Sequence, residues 1–290
     1  MAAVRHERVW KLLGGVPLEE LIEPRLESHY AAQIVQSVGS ALLPAVPDFR
    51  HTSFEWVPQA NALAGGLVAS REPFRAGIRL TDLALALFDG SARPVDVFDL
   101  IGRTLADGFS WLKRAVTSRG GAADRIDERV NPDIPRHPVR DGARFTGGNQ
   151  AARTELAAWY DDADQVLGAF RAGTPNAGPV RCWPHHFDIA SLVVLSGDGG
   201  EGSRTVGVGL SPGDAGCAEP YWYVTPWPAP RSVALPPLPA GAFWHTEGWV
   251  GAVLTASVLV RERNAEQQAT AVRVFLDAAF RECRRITTTG

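Results

Sequence analysis

From Leu26 onward, apolar residues recur at Tyr30, Ile34, Val38 and Leu42. That spacing is one face of a 3.6-residue helix, and Pro44 ends it. Upstream, Arg8 to Leu13 runs into Gly14-Gly15, a natural helix stop. Pro17 then precedes Leu18-Glu19-Glu20-Leu21-Ile22, where a first-turn proline is tolerated. Helix is therefore expected over 8–43. Residues 51–88 change character. The stretches HTSFEWV, ALAGGLVAS and AGIRLTDLALALF are short, alternating or rich in β-formers, and Pro, Gly and Arg-Glu-Pro punctuate them. The apolar phase shifts between Ile78/Leu80 and Leu83/Leu85/Leu87, which predicts a bulge or bend near Asp82. After the Asp89-Gly90 turn, Val95, Phe98, Ile101, Leu105, Phe109 and Leu112 mark a helix over about 94–116.

Residues 117–149 show no periodicity. A structureless stretch of that length is uncommon inside a compact domain and reads as a linker or a lid. Periodicity returns over 150–172 through Leu156, Trp159, Tyr160, Ala163, Val166, Leu167 and Phe170. Strands are expected at 183–195, 204–210, 220–227 and 243–260. A closing helix follows over about 264–285, through Ala271, Val274, Phe275, Ala278 and Cys283. Each half therefore reads helix, antiparallel strands, helix. The expectation is one α+β unit over 1–290, with halves 1–116 and 150–290 related by a pseudo-twofold. A short echo, HTSFEW at 51–56 and HTEGW at 245–249, fits such a repeat.

Composition narrows the partners. The 290 residues carry 29 basic and 32 acidic groups, so the net charge is −3. A nucleic-acid footprint would be basic and clustered, so none is expected. The longest apolar stretch, Trp249 to Val260, is too short to span a bilayer. The first fifteen residues lack a signal-peptide core. Cys182, Cys217 and Cys283 are widely spaced and form no disulfide framework, which fits a cytoplasmic protein. Only Lys11 and Lys113 are lysine among the basic residues, a coding bias typical of a GC-rich bacterial genome.

The densest chemistry lies in GPVRCWPHHFDIASLVVL, residues 178–195. On a strand, His186 and Asp188 share a face, and His185 and Phe187 take the other. His186, Asp188 and a distant His245 match the facial triad of non-haem Fe(II) sites, and zinc can use the same ligands. Glu219 and Glu247 are the candidate catalytic bases. The competing reading leaves Asp188 pinning a loop and the histidines half-buried among Trp183 and Phe187. In GVGLSPGDAGCAEPYWYVTPWPAP (207–230), the glycines around Ser211-Pro212 match neither a dinucleotide fingerprint nor a P-loop, so no nucleotide cofactor is expected. Ser211 lacks a nucleophile elbow. Tyr221 and Tyr223 share a strand face. With Trp183, Trp227 and Trp249 they are expected to line an aromatic cleft for a small molecule. Cys217 and Cys182 are weak thiol candidates, and His51 and Glu55 lie where a symmetric packing of the halves would bring them to the cleft.

The segments PVRCWPHHFDIASLVVL, VGLSPGD, EPYWYVTPWP and WHTEGWVGAVL together resemble an uncharacterised bacterial family known as domain of unknown function 5996. The resemblance covers most of the chain and is strongest at Phe187-Asp188-Ile189-Ala190. It departs at His185-His186. It implies a coherent fold and a central role for Asp188, and it brings no activity with it. The expected function is a small-molecule enzyme with a mononuclear iron or zinc site at His186, Asp188 and His245. The alternatives are a non-catalytic small-molecule-binding module and a structural or interaction protein with an aromatic core.

Overall fold

The two runs of short alternating segments become two antiparallel sheets. The computed structural model, which describes residues 8–200, 202–230 and 235–289, joins those sheets edge to edge. The first sheet takes its strands in chain order: β1 (Glu55–Val57), β2 (Ala62–Ala64), β3 (Arg75–Arg79), β4 (Ala84–Phe88) and β5 (Pro94–Asp99). The second holds β6 (Arg181–Trp183), β7 (Asp188–Ser196), β8 (Arg204–Ser211), β9 (Tyr221–Trp227), β10 (Phe243–His245) and β11 (Gly251–Thr255). Its spatial order is β10-β11-β9-β8-β7-β6. Just ahead of β1, Phe54 exchanges both backbone hydrogen bonds with Cys182 of β6, at 2.9 and 2.8 Å. The class is α+β, as expected.

Helices cover the sheets. α1 (Ile22–Leu42) packs on β3, α2 (Leu105–Ser118) on β4 and β5, and α3 (Gln150–Gly173) on β7 and β8. After the short α4 (Ala256–Leu259), α5 (Ala265–Thr289) lies along β8, β9 and β11. Strand alternation sets the faces. Leu63, Ile78, Leu85 and Leu87 join a hydrophobic cluster that runs through both halves, and Val57, Ala62, Ala64, Ala86 and Phe88 form a small one on the other side of the first sheet. Among the described residues, no helix is long and apolar enough to cross a membrane.

Three local expectations sharpen or change. Of the bulge or bend expected near Asp82, the chain makes the bend, a tight turn: β3 and β4 pair in unbroken register across it, and Leu83 sits at φ 51°. Residues 94–99 are strand, not helix. The segment alternates Val95, Val97 outward, and helix begins only where Thr104 and Asp107 form a reciprocal capping box. Residues 8–13 are not helical either. They form a strap whose backbone N–H groups are taken by side chains. Lys11 N–H donates to Asp162 (3.0 Å), Leu13 N–H to Gln268 (2.9 Å), and Gly14 and Val16 N–H to Glu155 (2.7 and 2.9 Å).

The central element is α1. It touches the first sheet, α2 and α3, and 15 of its 21 residues are buried. Buried polar groups must be hydrogen-bonded. Several of its polar residues meet that demand by holding segments that have no regular structure. Glu27, fully buried, accepts from Thr146 N–H (2.5 Å), Thr146 Oγ1 (3.0 Å) and Gly147 N–H (2.8 Å). Tyr30 Oη donates to Pro135 O (3.1 Å), and Glu23 lies 3.1 Å from His137 Nε2. His29 Nε2 and Gln33 Nε2 both donate to Pro184 O, each at 2.8 Å. The stretch 117–149 is thus irregular but anchored. It has only two short turns beyond the end of α2, yet Ala123, Ile126, Ile134, Val139 and Phe145 are buried.

Replacing Glu27 by alanine removes the acceptor of two backbone donors, of which Gly147 N–H is buried. Glu27→Ala is expected to lower the unfolding free energy by about 3 kcal/mol, read by urea denaturation. A loss within experimental error would mean that water takes over these donors.

Candidate functional site

The turn between β6 and β7 is where the sequence concentrates histidines, and its geometry is set by one strained residue. Phe187 has φ 59°, which is costly for a bulky side chain. Packing compels it. Its ring stacks on His29 (5.1 Å) and tilts against Tyr160 (5.4 Å), and its carbonyl accepts from Tyr160 Oη at 2.5 Å. His186 and Phe187 N–H both reach back to Trp183 O, at 3.2 and 2.6 Å. The turn therefore projects His185 and His186 outward, with ring centroids 4.4 Å apart and both side chains exposed. β7 begins at Asp188, so the two-residue alternation expected for His186 and Asp188 does not extend across the turn.

Beneath this turn lies a recess of about 150 Å³. Arg25 and His29 of α1 form its buried part, and His185, His186 and Phe187 line one side. Asp133 and Pro135 come from the irregular segment, and Pro212 to Ala215 from the loop after β8. Burial pushes the His29 imidazole down to about 4, so it is neutral at ordinary pH. Burial, and then the neighbouring His186, also lowers His185.

Asp188 stands behind His186 and is buried, and burial raises its pKa. Its Oδ2 accepts a hydrogen bond from Tyr223 Oη, and its Oδ1 is buried with no partner among the described residues. Tyr223 is on β9, two strands from β7, and reaches Asp188 because Gly209 of β8 lies between them. A Cβ at Gly209 would stand 2.7 Å from the tyrosine ring. Burial, with the Asp188 charge beside it, pushes the Tyr223 phenol far up.

The expected three-ligand metal site is not assembled. His245 is on β10, and the strand order places four steps between β7 and β10, about 19 Å at roughly 4.8 Å per step. Its Nε2 donates to Glu247 O at 2.7 Å. Among the described residues, no group of three His, Cys, Asp or Glu side chains could hold a metal ion. His186 and Asp188 alone of the three remain neighbours. Neither candidate base reaches the recess. Glu219 holds the start of α4, accepting from Ser257 N–H (2.5 Å) and Oγ (2.9 Å), and Glu247 is exposed beyond β10.

The aromatic side chains are spread rather than gathered. Tyr221 and Tyr223 do share a face, 6.3 Å apart, but their hydroxyls are committed to Asp214 and Asp188. Trp227 is 58% exposed at the end of β9, Trp249 lies 4.5 Å from His245, and Trp183 stands edge-on to His185 at 6.2 Å. None of these five lines the recess. Glu55 pairs with Arg75 and Arg181 at the sheet junction, and His51 Nδ1 accepts from Val46 N–H. Burial raises both thiol candidates, Cys182 and Cys217, away from reactivity.

Arg25, His29 and Asp133 escape a reading based on apolar periodicity. A signal exists: Arg25, His29, Gln33 and Ser37 recur every four residues, a polar stripe along a helix most of whose residues are buried. No family model matches the chain, and neither the curated proteins nor the solved structures provide a match.

The His29 environment gives a signed pH dependence. The unfolded imidazole binds a proton near 6.5, the folded one only near 4. Stability from this residue is complete above the upper value and falls by about 3 kcal/mol as pH drops to the lower one. His29→Phe keeps a ring against Phe187 and leaves Pro184 O with Gln33. Urea denaturation at both ends of the window is expected to show a smaller acid-side loss in the variant. Equal losses would place the pH sensitivity elsewhere.

Proposed function

We propose that this protein binds a small molecule in the recess between α1, the β6–β7 turn and the loop after β8. The observation that supports this best is the composition of the walls. Four separate chain segments bring together a guanidinium, three imidazoles and two carboxylates round one concavity. The buried members are held by packing from below, and the exposed histidines stand at the opening. The recess differs from the aromatic cleft expected from the sequence, and none of Tyr221, Tyr223, Trp183, Trp227 and Trp249 lines it.

A second reading, an enzyme acting by proton transfer, has one observation in its favour. His186 lines the recess, and it lies close enough to the buried Asp188 to favour the carboxylate form there, against the burial that raises it. An imidazole backed by a carboxylate and open to a ligand is the usual arrangement of a general acid or base. Two ligands without His245 fall short of a facial triad, so acid–base work is the chemistry these two residues support.

The test uses a variant that fills the opening. Ala215 is exposed at the recess, so Ala215→Trp should leave the fold intact. A metabolite library screened by thermal shift is expected to contain compounds that stabilise the parent protein and not the variant. At about 100 times its dissociation constant such a compound adds about 2.7 kcal/mol. Compounds that stabilise both proteins equally would place the ligand site elsewhere.

A further inference from the structure

We infer that the molecule taken by this recess is a small organic acid, and that Arg25 binds its carboxylate; the inference rests on the recess being a ligand site. Arg25 is in the first turn of α1 and only 6% exposed. Its Nε and Nη1 are buried and have no hydrogen-bond partner among the described residues. That is unusual, because a buried guanidinium is normally paired and its donors filled. Every other buried charged side chain of α1 is engaged: Glu27 takes three donors, and the neutral His29 gives its Nε2 proton to Pro184 O. Arg25 stands as a charge without a counter-charge in contact.

The nearest carboxylate is already in use. Asp214 favours the Arg25 charge from a distance but makes no direct ion pair with it. Its Oδ1 accepts from Gly216 and Cys217 N–H, at 2.7 and 2.9 Å, and its Oδ2 accepts from Tyr221 Oη. The loop is thereby fixed with Asp214 turned to its own backbone. Gly213 packs directly against the guanidinium. It sits at φ 107°, and a Cβ there would stand 2.5 Å from Arg25 Nη1 and 2.6 Å from Ala218 O. Any side chain at this position would both strain the backbone and push on the guanidinium.

The ligand class follows from shape and charge. A guanidinium presents planar, forked donors that match a carboxylate. Arg25 is the one arginine or lysine lining the recess, and His29 next to it is neutral. Asp133 and Asp214 on the same walls repel negative charge, so an anion is favoured only in direct contact with the guanidinium, and a doubly charged phosphate is disfavoured more than a carboxylate. About 150 Å³ holds a short acid and excludes a nucleotide. His185 and His186 at the opening then face whatever lies beyond the carboxylate.

The experiment is a titration of the full chain followed by the arginine Nε–H signals in ¹H–¹⁵N NMR spectra. The Arg25 signal is assigned by its loss in Arg25→Lys. The probes are acetate, propionate and butyrate, their three matched amides, and inorganic phosphate. The acids are expected to move the Arg25 signal saturably, and the amides are not. Arg25→Met and Ala215→Trp should each weaken acid binding at least about tenfold. If Arg25→Met does not fold, Arg25→Lys stands in for it, keeping the charge, losing the fork and binding several-fold more weakly. Amides that bind as tightly as the acids, with binding lost in Ala215→Trp, would keep the recess as a ligand site and overturn the role of Arg25. Phosphate preferred over every acid would overturn the class. An Arg25 signal that no acid moves would overturn the inference outright.

Discussion

A helix with 15 of its 21 residues buried has to find partners for the polar side chains among them, and that constraint organises this protein. α1 sits between the first sheet, α2 and α3. Its backbone is satisfied internally, so its side chains decide what is packed around it. Glu23, Glu27, Tyr30, His29 and Gln33 each take a group from a segment without regular structure. Backbone that would otherwise be unpaired in the interior is held at 135, 146–147 and 184. The same device recurs at the strap of residues 8–16, where Glu155, Asp162 and Gln268 replace the missing strand or helix partners. Two long irregular stretches are therefore part of the core and not appendages to it.

The recess is a consequence of that arrangement. Pro184 O is drawn to α1 by two donors, which seats the β6–β7 turn on the helix. The turn closes only with Phe187 left-handed, and the His29 and Tyr160 contacts hold it there. His185 and His186 are then carried to the surface above Arg25. On the far side, Gly213 packs directly against the guanidinium, and the closed hydrogen-bond set of Asp214 fixes the loop after β8. Arg25 alone among the buried charged residues of α1 is left unmatched. Strain and an unpaired charge within one small region are stability costs that packing elsewhere must offset, which is typical of a functional site.

Much of the fold is legible in the sequence. The 3.6-residue patterns of α1, α3 and α5 each run for three turns or more, and short β-rich runs between Gly and Pro mark most of the strands. The failures have physical causes. Residues 94–101 satisfy helical and strand spacing at once, and only the Thr104–Asp107 capping box separates the two. Residues 8–13 have helical propensity, but the partners that keep them extended lie more than 140 positions away. The metal triad rested on three residue types and no strand order. Once β11 and β9 insert between β10 and β8, His245 is at the opposite edge of the sheet from Asp188. The polar stripe Arg25, His29, Gln33 and Ser37 carries meaning only because these four positions are buried in the fold, which no single helix reveals.

The central claim is that Arg25 is kept for a ligand and not for the fold. The most direct measurement is the unfolding free energy of Arg25→Met against the parent, by urea denaturation without added ligand. A methionine fills much of the same volume and removes a desolvated charge that no partner offsets. The account predicts a variant as stable as the parent or more so. A loss of about 3 kcal/mol, comparable to breaking a charged hydrogen-bond set, would contradict it and make Arg25 one more of the buried side chains that hold α1 in place.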